Sequence, residues 1–262
     1  MKKHAKSLLL VLMSVLLLVL VSSRLGTDGA MRPATPQVTD DPIPSEDPVK
    51  ETDTPAPEVT ETPKRIRELL PGLSLSDWNL KLVNNTHVLP NTFAPNVVTI
   101  RDDQYFDERA ADALEEMIAA AEEAGYTVAV RNAYRPYATQ AYLFNGRASQ
   151  IQWGTEMTLA EAEMEARKVV AYPGTSEHQL GLCADLMDSA GTSMTPETAV
   201  SLPVLKWLSE HCAEYGFIPR YPQNKQEITG WWEPWHFRYV GQDAAEYMME
   251  NDLCLEEFAE QF

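Results

Sequence analysis

The sequence predicts an α+β domain in which a small antiparallel sheet carries a metal site and helices flank the sheet. Three observations lead there. Helical and strand-like periodicities both occur between residues 65 and 262, without the regular alternation that a parallel βαβ sheet requires. The six Trp and ten Tyr fall in this same stretch, enough bulk for one domain with a real core. Asp185 lies between Ala184 and Leu186 in an apolar strand-like run, where an ionised carboxylate is costly unless paired or coordinated. No internal repeat is apparent, so a solenoid is not indicated.

Two segments precede the domain. Lys2, Lys3 and Lys6 come before an apolar run of fourteen residues from Leu8 to Val21, broken only by Ser14. That length suits a signal-peptide core better than a full membrane span. Val21-Ser22-Ser23-Arg24 is only loosely a small-residue cleavage site, so residues 1–26 read either as a cleaved signal peptide or as an uncleaved anchor. No Cys follows the run, which gives no support to a lipoprotein anchor. Either way the remainder is expected outside the cytoplasm, secreted or membrane-anchored at the cell wall. Residues 27–64 contain eight Pro, nine Asp/Glu and three Lys/Arg, with no aromatic residue and no Leu. Such a segment cannot bury enough apolar area to offset chain entropy, and a disordered, self-repelling tether is expected.

Within the domain, residues 106–124 have a helical pattern that ends at Gly125, and 127–131 alternate as a strand. Helices are expected over 137–149, opened by Pro136, and over 159–171. Strands around 182–187 and 235–240 flank a helix from 202 to 215, which Gly216 terminates. A last helix covers 242–250.

The chemistry is concentrated in two short runs, Ser176-Glu-His-Gln-Leu-Gly-Leu-Cys-Ala-Asp185 and Glu233-Pro-Trp-His236. They read as a dispersed hydrolytic zinc site. His178, Asp185 and His236 would supply three N/O ligands and leave the fourth position for a water that the metal acidifies, with a carboxylate nearby to take its proton. No His-Glu-x-x-His helix occurs, so loops and strand ends must assemble the centre. Gly181 can supply a tight turn, after which Cys183 and Asp185 share one face of a strand. Pro234 cannot sit inside a regular ladder, so a bend there can aim Glu233 and His236 at one metal. His4, His87 and His211 lack such company and read as surface or packing residues.

These runs, together with Asn132-Ala-Tyr-Arg-Pro-Tyr-Ala-Thr-Gln-Ala-Tyr-Leu-Phe144, resemble the VanY-type D-alanyl-D-alanine carboxypeptidases. That family belongs to the zinc peptidase group shared with lysostaphin-type enzymes and the hedgehog domain. The resemblance spans roughly residues 70 to 250. The family pattern Ser-x-His-x-x-Gly-x-Ala-x-Asp is met at Ser176, His178, Gly181 and Asp185, with Cys183 in place of the usual Ala. Pro136 stands where Ser commonly follows Tyr-Arg. Neither change removes a ligand, so both bear on substrate fit rather than on chemistry.

The resemblance implies one zinc per chain, held by His178, Asp185 and His236, with Glu233 as general base and then proton donor. It also implies that Arg135 faces the scissile carbonyl; a fixed cation meeting oxyanion charge in a water-poor cleft is typically worth about 3 to 4 kcal/mol. Taken alone, Arg135 reads equally well as a surface arginine at a helix start. Gln140 and Ser176 would donate hydrogen bonds to the substrate's terminal carboxylate or backbone. Cys183 is expected to pack as a small hydrophobe rather than bind metal.

The chain carries −18, of which the first 26 residues contribute +4 and the tether −6, leaving −16 for the domain. Phosphate binding needs a basic face, so nucleic acid is not an expected partner. Three cysteines do not make a disulfide scaffold. The expected activity is a monomeric D,D-carboxypeptidase acting on peptidoglycan stem peptides. The alternatives are an L,D-carboxypeptidase, a peptidoglycan endopeptidase, or a catalytically silent zinc-containing peptidoglycan-binding module in which Glu233 is incidental.

Overall fold

A computed structural model describes residues 66–189 and 195–262. The expected leader or anchor (1–26) and the tether (27–64) lie outside the described residues. Among those described, no helix is long and apolar enough to cross a membrane.

A single turn, α1 (Ile66–Leu69), leads to a short antiparallel hairpin of β1 (Val97–Thr99) and β2 (Tyr105–Asp107). Helix α2 (Ala111–Glu123), strand β3 (Val128–Asn132) and helices α3 (Tyr137–Trp153) and α4 (Leu159–Ala166) follow. A 3-10 turn at Glu177–Leu180 then feeds β4 (Cys183–Asp188). Next come α5 (Pro196–Ala199), α6 (Pro203–His211), β5 (Phe217–Tyr221), α7 (Gln226–Thr229), β6 (Glu233–Tyr239), α8 (Gln242–Glu250) and α9 (Leu255–Ala259). The central sheet has the order β3-β4-β6-β5 and is antiparallel throughout. The expected α+β class with a small antiparallel sheet is therefore met.

Element boundaries differ where short structures hide inside longer periodicities. Residues 105–107 pair with 97–99, so Phe106 belongs to β2 and is fully buried, and helix α2 begins only at Ala111. Helix α3 runs to Trp153, beyond the expected 149, whereas α4 ends at Ala166 and 167–170 continue as turns. The 202–215 helix is α6 followed by a 3-10 turn, Cys212–Tyr215. It stops at Gly216 with φ 79°, and a Cβ there would lie 2.9 Å from the Tyr239 ring and 3.1 Å from the Gly241 backbone. Only glycine fits this left-handed corner.

One face of the sheet packs on the main core. Val130, Ala184, Leu186 and Phe237 project there against Leu114 and Ile118 of α2 and Leu205 and Leu208 of α6. The opposite face carries the polar residues. Directly paired residues share a face, so Asp185 and His236 lie together, and so do Cys183 and Arg238.

Two irregularities set what that face presents. Val130 pairs with Leu186 but Asn132 pairs with Asp185, so a bulge at Arg131 turns Asn132 from the core face to the polar face. Between β5 and β6, Pro219 opposes Phe237 while Tyr221 opposes Glu233. Four steps along β6 thus match two along β5. The extra residues accommodate Pro234, as its missing N–H demands. Without them Glu233 and His236, three apart, would point to opposite faces.

Candidate active site

The site is built on the polar face of the sheet from three directions. Strand β4 brings Cys183 and Asp185, β6 brings Glu233 and His236, and the 3-10 turn between α4 and β4 brings Glu177 and His178. That turn closes on Gly181 at φ 73°, where a Cβ would crowd Pro95 at 3.2 Å. The start of α3 supplies the opposite wall through Arg135 and Gln140.

The tautomer of His178 follows from its neighbours. Its Nδ1 lies 2.7 Å from the carbonyl oxygen of Ala133, which can only accept, so Nδ1 carries the proton. Nε2 therefore faces the site, 3.4 Å from Asp185 Oδ2 and 2.9 Å from the Asn132 amide nitrogen. Asn132 also donates to Asp185 Oδ2 at 3.1 Å. The other carboxylate oxygen, Oδ1, approaches His236 Nδ1 to 3.1 Å, yet neither atom has a hydrogen-bond partner although both are buried. The two imidazoles meet edge to face with centroids 4.9 Å apart. An unpaired carboxylate oxygen and ring nitrogen, buried side by side, are what a divalent cation would satisfy.

The electrostatics point the same way. Burial opposes a proton on either imidazole, but Cys183 and Asp185 outweigh it and raise both, His178 to about 9. Burial would also raise the Asp185 carboxyl, yet the two rings hold it well below the usual range. Two imidazoles and one carboxylate of this kind fit zinc in a site with an open position.

Behind His236 stands Glu177, a residue to which sequence reasoning gave no role. Its carboxylate is fully buried, with Oε1 accepting from Arg220 Nε at 2.8 Å and Arg238 Nη1 at 2.7 Å. Oε2 faces His236 Nε2 at 3.6 Å. At that distance the two atoms are not hydrogen-bonded, and neither has another hydrogen-bond partner although both are buried. Burial alone would raise the Glu177 carboxyl; the two guanidiniums overcome it and hold the group well below its usual range. We therefore expect Glu177→Ala to lower the unfolding free energy by about 3 to 5 kcal/mol, because it strands two buried arginines. Denaturant midpoints check this, and a loss under about 1 kcal/mol would mean that Glu256, also paired with Arg220, suffices. This contribution is complete above the ordinary glutamate value of 4.5 and is lost as pH falls below it.

Glu233 lies on the solvent side of the centre, its Oε2 3.6 Å from His236 Nδ1 and its side chain 27% exposed. Burial and the neighbouring Asp185 raise its carboxyl above the usual value, against the pull of His236, His178 and Arg135. Across a cavity of about 190 Å³, Arg135 donates from Nη1 to Gln140 Oε1 at 2.7 Å. Gln140 in turn donates to the Ala171 carbonyl at 2.6 Å. Gln140 thus acts as the brace of Arg135. Ser176 lines the same cavity, and its side chain does not cap the turn it precedes. Every residue expected at the site thus borders one cavity.

The model of the VanY family, described as D-alanyl-D-alanine carboxypeptidase, matches residues 103–242, more than half of the chain. This chain belongs to the VanY family. It is 36% identical over 183 residues to a D-alanyl-D-alanine carboxypeptidase of Enterococcus faecalis, an alignment covering 70% of this chain and 66% of that relative. The chain thus spans about two thirds of the relative's length. Among solved structures it is similar to the vancomycin-resistance D,D-pentapeptidase VanY in complex with Zn(II), at 36% identity and TM-score 0.60 over 70% of this chain and 99% of that one. A structure of VanYB holds D-alanine-D-alanine, at 36% identity and TM-score 0.61 over 70% and 98%. The LD-carboxypeptidase LdcB is likewise similar, at 38% identity and TM-score 0.60 over 69% and 85%. VanY-family membership makes this chain a hydrolase of the carboxypeptidase type.

Proposed function

We propose that this VanY-family chain is a zinc-dependent D,D-carboxypeptidase that removes the C-terminal D-alanine from peptidoglycan stem peptides. The observation that carries the reading is the Asp185 carboxylate flanked by two imidazoles, His178 Nε2 at 3.4 Å from Oδ2 and His236 Nδ1 at 3.1 Å from Oδ1, beside a carboxylate of raised proton affinity, Glu233. A zinc ion held by His178, Asp185 and His236 would supply a Lewis acid and a water acidified toward neutrality. Glu233 takes the proton of the attacking water and returns it to the departing amine. Arg135, braced by Gln140, meets the charge that develops on the carbonyl oxygen. Ser176 lies where it can donate to the substrate's terminal carboxylate or backbone. The protein acts outside the cytoplasm, exported or anchored through its apolar N-terminal run and spaced from the membrane by its acidic, Pro-rich segment.

The likeness to LdcB favours one other reading, removal of the last residue from tetrapeptide stems. Mass analysis after incubation with defined penta-, tetra- and tripeptide stems separates the two. Loss of one alanine from the pentapeptide alone is expected. Cleavage of the tetrapeptide alone would replace the D,D reading with the L,D one, and no product from any stem would leave a binding module.

Arg135 has its own test. Arg135→Lys keeps the charge but loses the planar fork, so kcat should fall by about 10-fold or more, with zinc content and thermal stability nearly unchanged. Kinetics unaltered in both Arg135→Lys and Arg135→Ala would return Arg135 to the part of a helix-start arginine.

A further inference from the structure

We propose that the part of the stem peptide on the amino side of the scissile bond lies in a groove bordered by Trp231, Trp232 and Trp235, next to the catalytic cavity. The inference deepens the proposed function and rests on the chain being a peptidase of peptidoglycan stems, whichever terminal bond it cuts.

The groove encloses about 350 Å³ and is continuous with the catalytic cavity, since Val169, Trp231 and Glu233 border both. Its place gives it a direction. Arg135, Gln140 and Ser176, the groups proposed to meet the carbonyl oxygen and the terminal carboxylate, border the cavity and not the groove. The departing residue therefore fills the Arg135 side, and the chain that precedes it has its outlet past Glu233. Lys168, the cation on the rim of the groove, is paired with Glu165 at 2.7 Å, so it does not compete for the terminal carboxylate. A smaller hollow of about 220 Å³, bordered by Arg131, Asp185, Met187 and Trp235, is the other way out of the site.

The indoles favour the larger groove. Half of the six Trp of the chain border it. Elsewhere Trp78 stacks on Tyr239 and Trp207 on His211, and both pack against the main core, as Trp235 does. Trp231 and Trp232 are half-buried yet pack in none of the apolar clusters, and among the described residues no ring or guanidinium covers their faces. Folding gains little from these two side chains, so their apolar faces are left for a ligand. The loop that carries them is nevertheless held. Gly230 ends α7 at φ 80°, and the buried Thr229 accepts from the Trp231 N–H at 3.3 Å, with Oγ1 3.1 Å from its carbonyl oxygen. A face positioned in advance binds at a low ordering cost. Stem peptides carry small methyl side chains on centres of both L and D hand. A strand edge reads one hand through its ladder, whereas an indole packs on a methyl group or peptide plane of either.

The test compares a pentapeptide stem with the acetylated D-alanyl-D-alanine dipeptide as substrates of the zinc-loaded full chain. In the wild type kcat/KM should be about 10- to 100-fold higher for the pentapeptide, the equivalent of burying one large apolar side chain. In Trp232→Ala the ratio should fall close to one, with Trp232→Phe in between, whereas Met187→Ala should keep the wild-type ratio. Taking the ratio within each variant cancels any disturbance of the adjacent Glu233. Equal efficiency on both substrates in the wild type overturns the proposal. So does a ratio that survives in Trp232→Ala or is lost in Met187→Ala, which would route the chain through the smaller hollow. A second measurement needs no turnover: calorimetric binding of the tripeptide stem, which neither the D,D nor the L,D reading cleaves. The wild type should bind it about 10-fold or more tighter than Trp232→Ala does. No binding by the wild type, or equal affinity in the two proteins, overturns the inference. Failure of the D,D assignment leaves that binding result standing, and cleavage without dependence on length removes the groove but not the peptidase.

Discussion

Replacing His236 with alanine should abolish stoichiometric zinc binding and peptidase turnover together. His236 is 2% exposed, and its Nδ1 meets Asp185 Oδ1 at 3.1 Å without hydrogen bonding to it. The ring also bridges two layers of the site, with Glu177 behind its other nitrogen. Its removal takes one of three N/O donors and opens a void between Tyr221, whose ring packs 4.9 Å away, and His178. Two remaining N/O donors do not hold zinc against dilution. Because Arg220 and Arg238 still neutralise Glu177, the fold should survive the change. Metal content after gel filtration, compared with the wild type, is the measurement; full zinc occupancy in His236→Ala would remove His236 from the ligand set. In the wild type a chelator should inactivate the enzyme and added zinc should restore it.

Much of this site could be read before any coordinates, for a physical reason. The proposed ligands and base are chemically distinctive residues on two short runs, and a buried Asp185 between apolar neighbours advertises its need of a partner. The bend at Pro234 was legible too, because proline cannot extend a ladder; the structure adds that it takes the form of a bulge against Tyr221. The support around the ligands was not legible. Glu177, Arg220 and Arg238 come together from positions far apart in sequence, and their spacing carries no period. One signal was available: Arg238 follows His236 by two residues in an alternating strand, so it had to point to the same face as His236 and find an acid there. Asn132 was hidden for another reason. Simple alternation puts it on the face of Val130, and only the bulge at Arg131 reverses that. The strand β2 was missed because three residues cannot establish a period of two against a helical background.

Changing Glu233 to glutamine should lower turnover by about 10² to 10⁴ while zinc remains bound. The amide keeps the size and much of the hydrogen bonding of the carboxylate but cannot accept a proton from water. The position suits a base rather than a ligand: Oε2 stands 3.6 Å from His236 Nδ1 on the cavity side, and the side chain stays partly exposed where a water can reach it. Burial, with Asp185 nearby, lifts the carboxyl above the ordinary value of 4.5. A base works in its ionised form, so kcat/KM of the wild type should decline as pH falls through that raised value, giving an acidic limb above pH 4.5. The limb should be absent from the residual activity of Glu233→Gln, which separates loss of the base from a general loss of structure. Metal content and the full pH profile of both proteins are the required measurements. A glutamine variant as active as the wild type, or one whose acidic limb is unchanged, would assign proton transfer to another group and leave Glu233 as a wall of the cavity.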